Sequence, residues 1–155
     1  MGALLAARLG RPFVDTDAMV ERIVGTSIAD LFAREGEAAF RKREREAIEN
    51  IAGGALVVAL GGGAIAQPGA CERLTASGTI VYLRATPKTL LGRIRDSADR
   101  PLLHGLSGKD RLRRIAELLS ERSPCYEQAS IVVDTDALEP KEVAEAILGR
   151  LGSSP

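Results

Sequence analysis

Residues 55–63, with the sequence Ala-Leu-Val-Val-Ala-Leu-Gly-Gly-Gly, decide the fold class of this chain. The first six residues form a continuous apolar run, and three consecutive glycines end it. A strand that is apolar at every position, rather than at alternate positions, is typical of a parallel sheet that is covered on both faces. The stretch therefore predicts a buried strand that ends in a glycine-rich turn.

The rest of the chain repeats this pattern of apolar runs separated by helical segments. The other predicted strands are residues 12–14, 79–83 and 131–133. Helices are indicated by an amphipathic opening segment, a capping box, periodic apolar residues and first-turn prolines. These signals lie at residues 2–10, Ser27 with Asp30, 37–52, 109–127, Pro87 and Pro140. Strands that alternate with helices predict an α/β fold with a doubly wound parallel sheet.

The composition limits the classes of function. The 155 residues suit one domain, residues 1–155. A net charge of zero and an aromatic content of 3% argue against a nucleic-acid partner, because they supply neither a basic field nor stacking platforms. No apolar run approaches the roughly 18 residues that a membrane helix needs. Two cysteines are too few for a disulfide framework, so we expect reduced thiols in a cytoplasmic protein.

Candidate binding residues follow two of the predicted strands. Asp15 and Asp17 come directly after the first strand, and Gly61, Gly62 and Gly63 come directly after the second. Ligands of open α/β sheets bind beyond the carboxyl ends of the strands. The carboxylates can hold a cation through water or accept bonds from hydroxyl groups, and glycine N–H groups can face an anionic ligand. The alternatives are a helix N-cap for the aspartates and a tight turn for the glycines.

Two arginines are candidates for binding a carboxylate. Arg41 borders the apolar face of the predicted helix 37–52, and Glu44 lies on the same edge three residues later. Arg122 lies near the end of another helix, which we expect Pro124 to stop or kink. A guanidinium forks a carboxylate in two parallel bonds. The alternatives are a surface salt bridge for Arg41 and simple helix termination around Arg122.

A polar segment at residues 92–108 has the length and the glycines of a mobile lid. It carries Arg93, Arg95 and Arg100, and arginines on a lid can neutralise the charge of a transferring phosphoryl group. The alternative is a solvated loop. We expect His104 to be a surface residue of this segment, because no partner for a metal site or a proton relay accompanies it in sequence.

The order of these motifs along the chain resembles that of the shikimate kinase family, small-molecule kinases with a phosphate-binding loop. The motifs are Asp15-Thr16-Asp17, Phe40-Arg41, Gly61-Gly62-Gly63, Arg100-Pro101-Leu102 and Arg122-x-Pro124-x-Tyr126. The resemblance extends over essentially the whole chain. It implies phosphorylation of shikimate to shikimate 3-phosphate by a monomer that uses ATP and Mg²⁺, a step of chorismate and aromatic amino-acid biosynthesis.

The resemblance also implies roles for the substrate residues. Asp17 would bind the shikimate hydroxyls and help to activate the attacking one. Arg41 and Arg122 would hold the shikimate carboxylate, while the glycines 61–63 would line the same pocket with Glu44 behind it. These residue types suit shikimate, because it carries three hydroxyls and one carboxylate.

Four further residues would serve the nucleotide and the metal. By the resemblance, Arg100 on the lid approaches the transferring phosphoryl group, Arg93 lies near the nucleotide, and Pro140 borders the adenine. Asp15 would support Mg²⁺ through water.

One part of the family pattern has no counterpart here. The family begins with a strand and the loop glycine-x-x-glycine-x-glycine-lysine-serine/threonine, which precede the helix that matches Gly2 to Leu9. No stretch of this chain has that loop, and the glycines 61–63 do not replace it because no lysine and serine or threonine follow. The corresponding strand would lie centrally, between the strands near 56–60 and 80–83. We therefore expect Met1 to be a start within a longer reading frame, and residues 1–155 alone to be deficient in phosphoryl transfer.

Two other functions stay open at this point. The arginines argue for a carboxylate, which also fits a kinase for another small hydroxy acid or sugar acid, such as gluconate. A non-catalytic protein that keeps a shikimate-like pocket without a phosphate-binding loop is the other alternative.

Overall fold

The computed structural model describes residues 1–94 and 101–152 of the chain. The helices are α1 (Gly2–Leu9), α2 (Thr16–Val24), α3 (Ile28–Ile51), α4 (Ala70–Ser77), α5 (Pro87–Arg93), α6 (Gly108–Tyr126) and α7 (Pro140–Leu151). The strands are β1 (Phe13–Asp15), β2 (Val57–Ala59), β3 (Val81–Arg84) and β4 (Ile131–Asp134), and a short 3₁₀ turn spans Pro101–Leu103. The predicted α/β fold is confirmed.

The strands pair in parallel, as the apolar runs predict. β1 pairs with β2, with Phe13 opposite Val57, and β3 pairs with β4, with Val81 opposite Ile131. Within the described ranges these are two separate two-stranded sheets. A cavity of about 1090 Å³ is lined by residues of both β2 and β3. The strand predicted over residues 55–60 is shorter in the structure, where β2 spans Val57–Ala59.

One apolar core joins the two terminal helices to β4. Its buried members are Leu5 of α1, Ile131 and Val133 of β4, and Val143 and Ile147 of α7. The alternating burial of Ile131 and Val133 places one face of β4 against these helices. Burial of each such side chain contributes roughly 1.5–3 kcal/mol.

A second core holds α2 against α3 and determines where Arg41 of α3 lies. Its buried members are Val20, Ile28, Leu31, Phe40 and Ala47. The helical geometry of α3 is interrupted at Gly36, whose φ of 80° and ψ of 174° suit glycine. The prediction of a helix that begins at residue 37 is thus confirmed in its geometry. Its apolar face is anchored by Phe40 and Ala47, with Arg41 at the border.

The predicted helix starts and the end of the long helix are confirmed. Ser27 caps α3 by accepting a bond from the N–H of Asp30, and Pro87 and Pro140 occupy the first turns of α5 and α7. The helix predicted over residues 109–127 is α6, which ends at Tyr126, two residues after Pro124. Among the described residues no helix is long and apolar enough to cross a membrane.

Candidate active site

The carboxyl ends of β1 and β2 are tied together by Thr16. Its side chain is fully buried, and its Oγ1 donates to the carbonyl of Ala59 at 3.2 Å and accepts from the N–H of Gly61 at 3.1 Å. The aspartate-rich turn and the glycine run therefore lie side by side. Sequence reasoning overlooked Thr16, although its place between the two aspartates was a usable signal.

Asp15 acts as the N-cap of α2. Its Oδ1 accepts bonds from the backbone N–H of Asp17 at 2.9 Å and of Ala18 at 3.2 Å. One oxygen of this exposed side chain therefore serves as a helix N-cap, which was the alternative interpretation of the aspartates. Among the described residues, no group of three or more His, Cys, Asp and Glu side chains converges in a way that could hold a metal ion.

Asp17 and Glu44 converge on the backbone of Gly61. A Cβ at this glycine would lie 2.5 Å from Glu44 Oε1 and 2.9 Å from Asp17 Oδ1, so no larger residue fits without a shift of the carboxylates. Both oxygens are buried. The glycine run thus permits two carboxylates to lie against the backbone that follows β2.

The pair of Arg41 and Glu44 joins this cluster from α3. Arg41 Nη1 donates to Glu44 Oε2 at 2.9 Å, while its Nη2 donates to Glu37 Oε1 at 3.0 Å. The Arg41 side chain is 16% exposed and that of Glu44 is 0% exposed, so the bond between these two is not a surface salt bridge. A Cβ on Gly63 would collide with the Arg41 guanidinium. Arg41 therefore lies directly over the glycine run.

Burial governs the charge state of Glu44. It raises the pKa of this carboxyl above its usual value, and the nearby Asp17 acts in the same direction. The bonds from Arg41 and Gln67 oppose the rise without cancelling it. In turn, burial lowers the pKa of Arg41, but the bonds to Glu44 and Glu37 outweigh that effect and raise it overall. Arg41 is accordingly a permanent cation held by two carboxylates.

Gln67 is a member of the cluster that sequence reasoning missed. Its Nε2 donates to Glu44 Oε2 at 2.9 Å, and its Oε1 accepts from Arg45 Nη1 at 2.6 Å. A single glutamine in a turn carries no sequence signal for such a contact.

Arg122 and Tyr126 approach the glycine run from α6. A Cβ on Gly62 would lie 3.5 Å from Arg122 Nη1 and 3.4 Å from the Tyr126 hydroxyl, which donates to the Gly62 carbonyl at 2.6 Å. The Tyr126 ring also contacts that of Tyr82, with centroids 4.9 Å apart. The structure thus brings together Asp17, Arg41, Gly61, Gly62, Gly63 and Arg122 of the predicted site.

The residues predicted to bind the nucleotide lie near the strand pair of β3 and β4. Arg93 donates to the Thr135 hydroxyl at 2.8 Å and to the Thr135 carbonyl, directly after β4. Pro140 begins α7, which has a capping box formed by Glu139 and Glu142. His104 is exposed, as predicted. The predicted lid residues Arg95 and Arg100 lie outside the described residues.

Comparison with known proteins identifies the family. The family model described as shikimate kinase matches residues 1–152. The chain belongs to the shikimate kinase family. It is 48% identical to a shikimate kinase of Chlorobium chlorochromatii over 143 residues, which cover 88% of this chain and 75% of that protein. It is 44% identical to a shikimate kinase of Symbiobacterium thermophilum over 155 residues, which cover 97% of this chain and 87% of that protein.

Solved shikimate kinases share the fold. The shikimate kinase of Acinetobacter baumannii in complex with shikimate superposes with a TM-score of 0.92 at 36% identity, over 98% of this chain and 84% of that one. The shikimate kinase of Aquifex aeolicus superposes with a TM-score of 0.81 at 34% identity, over 97% of this chain and 87% of that one. The parallel strand pairs and the helices around them are therefore those of a shikimate kinase.

Proposed function

We propose that the protein is a phosphotransferase that converts shikimate to shikimate 3-phosphate with ATP, within chorismate and aromatic amino-acid biosynthesis. One observation carries the proposal beyond family membership. Two guanidinium groups, those of Arg41 and Arg122, lie against the same glycine run that the carboxylate of Asp17 borders. A ligand with one carboxylate and several hydroxyls matches this division of charge.

The carboxylate of shikimate binds between the two arginines. Arg41 lies over Gly63 and Arg122 lies beside Gly62, so both cations face the segment that follows β2. Hydrogen bonds between a guanidinium and a carboxylate are charge-assisted and can be bidentate, which orients the ring as well as binding it. Orientation matters here because phosphoryl transfer depends mainly on positioning and charge neutralisation.

The hydroxyl to be phosphorylated faces Asp17. Asp17 lies in the first turn of α2, and its Oδ1 is buried beside Gly61. An ionised carboxylate there accepts the hydroxyl proton as the oxygen attacks, which is the role of a general base. Glu44 stays behind the glycine run, where it holds Arg41 and contributes charge to the wall of the pocket.

ATP and Mg²⁺ follow from family membership, and these residues fit them incompletely. We assign Arg93, Arg100 and Pro140 to the nucleotide and Asp15, through water, to Mg²⁺. The loop whose N–H groups and lysine would cradle the phosphates has no counterpart in residues 1–155. When bound, the nucleotide supplies the γ-phosphoryl group and the metal neutralises its charge.

The remaining proposals concern the domain, the lid, the oligomeric state and the location of the protein. We propose that residues 1–155 act as one domain, with residues 92–108 as a lid over the substrate, and that the protein is a cytoplasmic monomer. The near-neutral charge gives no reason to expect a nucleic-acid or membrane partner.

The test is a paired measurement of binding and turnover. Calorimetry measures the dissociation constant of shikimate, and ³¹P NMR with Mg-ATP follows formation of shikimate 3-phosphate. Gluconate and quinate, two other hydroxy acids, serve as competitors. Tight shikimate binding with product formation supports the proposal. Because residues 1–155 lack the phosphate-binding loop, turnover is also measured on a version that carries a strand and this loop before Gly2. Binding without turnover in that version favours the non-catalytic alternative, and preference for a competitor favours a kinase of another acid.

A further inference from the structure

The contacts of Arg41 extend beyond Glu44 into a relay that crosses from α3 to the turn before α4. Arg41 and Gln67 both donate to Glu44 Oε2, each at 2.9 Å. Arg45, the residue after Glu44, donates to the other end of the Gln67 amide at 2.6 Å. The relay therefore runs from Arg45 through Gln67 and Glu44 to Arg41.

The orientation of the Gln67 amide follows from its two neighbours. A guanidinium can only donate, so the amide oxygen must face Arg45. A carboxylate accepts, so the amide nitrogen must face Glu44. Both requirements are met by one rotamer, and the reversed amide would violate both. Arg45 thereby keeps the donor of Gln67 directed at Glu44.

Glu44 depends on this donor because it is fully buried. A buried carboxylate without enough hydrogen bonds either loses its charge or moves. Asp17 adds a like charge nearby, while Arg41 and Gln67 are the donors to Oε2. Without Gln67, Arg41 alone would stabilise the charge of Glu44, and its guanidinium would be drawn away from the glycine run.

We propose that Gln67 is a positioning residue for the substrate carboxylate: it holds Glu44, and through Glu44 it fixes the guanidinium of Arg41 over Gly63. This inference rests on the proposed function, because it assigns the Arg41 guanidinium to the carboxylate of shikimate. Gln67 itself does not touch the substrate. The exposed Arg45 has a second, weaker role, since it sets the direction of the Gln67 amide.

The experiment uses Gln67→Leu, with Gln128→Leu as the matched control. Gln128 is the other glutamine of the chain, and its Nε2 donates to the Pro124 carbonyl at the end of α6. Two ligands are titrated by calorimetry: shikimate, and its analogue with a hydroxymethyl group in place of the carboxylate. Carboxyl ¹³C NMR follows the titration of Glu44, whose signal is assigned by its loss in Glu44→Gln.

The expected result is selective for the carboxylate. We expect Gln67→Leu to weaken shikimate binding about tenfold, because an Arg41 guanidinium displaced from Gly63 loses its charge-assisted bond to the carboxylate. The hydroxymethyl analogue, which does not need Arg41, binds both proteins alike. The titration midpoint of Glu44 rises in Gln67→Leu, since the lost bond favours the charged form. Gln128→Leu leaves all three readouts unchanged.

Arg45→Leu guards against a folding defect, because this side chain is exposed and its partner among the described contacts is Gln67. It should shift shikimate binding and the Glu44 midpoint in the same directions, by less. A folded Gln67→Leu with unchanged shikimate affinity, or with equal losses for both ligands, overturns the inference. If the unaltered protein binds no shikimate, the proposed function fails instead. An unchanged Glu44 midpoint in Gln67→Leu would then overturn the relay independently.

Discussion

The hydroxyl of Tyr126 donates a 2.6 Å hydrogen bond to the carbonyl of Gly62, and this bond attaches the end of α6 to the glycine run after β2. Arg122 lies one helical turn earlier on α6, so the same attachment determines how far its guanidinium stands from Gly62. The tyrosine of the family motif thus has a physical role beside the arginine.

Tyr126→Phe should weaken shikimate binding while the protein stays folded. The change removes one neutral hydrogen bond, worth roughly 0.5–1.5 kcal/mol, which corresponds to about two- to tenfold in the dissociation constant. Tyr82→Phe is the control, because its ring stacks on Tyr126 and the described contacts give its hydroxyl no such bond to the glycine run. Calorimetry with shikimate checks both. Equal affinities in the two variants would contradict the role.

Arg122→Ala should weaken shikimate binding more strongly. Loss of a charge-assisted bond costs roughly 1.5–3 kcal/mol, or about 10- to 150-fold in affinity. Arg113→Ala is the control on the same helix, since Arg113 pairs only with the exposed Asp110 and Glu117 in the described contacts. The readout is the shikimate dissociation constant of each variant. An Arg122→Ala protein with unaltered affinity would remove Arg122 from the carboxylate site.

Asp17→Asn should reduce turnover far more than stability. A general base contributes roughly 10²–10⁴-fold to the rate, and the amide cannot take the hydroxyl proton. Asp30→Asn is the control, because Asp30 lies in the first turn of α3 as Asp17 does in α2. Turnover with Mg-ATP and thermal unfolding are measured on the same samples of a version that carries a strand and the phosphate-binding loop before Gly2. Parallel losses of activity and stability in Asp17→Asn would indicate a structural role.

Glu44→Gln should become relatively more stable than the unaltered protein as the pH rises. Burial raises the pKa of Glu44 in the folded state above its unfolded-state value. The protonated carboxyl therefore stabilises the folded protein fully at pH values below the unfolded-state pKa, and this contribution is lost as the pH rises through the folded-state pKa. The charged groups facing it are Arg41 and Asp17. Urea unfolding of both proteins from about pH 4 to about pH 8 measures the difference. A difference that is independent of pH would contradict the raised pKa.

ATP should bind residues 1–155 much more weakly than shikimate does. The chain has no glycine-x-x-glycine-x-glycine-lysine-serine/threonine loop, and its glycines 61–63 are not followed by a lysine and a serine or threonine. Removal of such electrostatic contacts costs roughly 2.7–4 kcal/mol of transition-state stabilisation each. Nucleotide titration and turnover are compared with a version that carries a strand and this loop before Gly2. Comparable turnover in the two would contradict the prediction.

The sequence alone predicts the elements well where an apolar run is bounded on both sides. The run 131–133 corresponds to β4, Ile131–Asp134, and the periodic segment 37–52 corresponds to α3 beyond Gly36. These patterns succeed because burial on both faces of a strand requires a continuous apolar run, and burial on one face of a helix requires apolar residues at helical spacing. The end of the long helix was also predicted, because α6 ends at Tyr126, two residues after Pro124.

Motif order also predicts most of the substrate cluster, but not how it is held together. Asp17, Arg41 and Arg122 are recognisable because they adjoin strand ends and helix borders. The bonds of Thr16 to Gly61 and of Gln67 to Glu44 span 45 and 23 residues, and local pattern carries no information about them. Thr16 is the first residue of α2 and Gln67 lies in a turn, and neither residue type needs a functional reason at such a place.

The sequence by itself determined the parallel α/β architecture, the family, and the residue types that a carboxylate-bearing polyol requires. Those properties depend on periodicity and on short motifs, which can be recognised in the sequence alone. Only the tertiary structure decided that Arg41 is held by a fully buried Glu44, that Gln67 supports this pair, and that Tyr126 attaches α6 to Gly62. The physical reason is that burial and hydrogen-bond partners arise when distant segments pack, and packing sets both the charge of a carboxylate and the direction of a guanidinium.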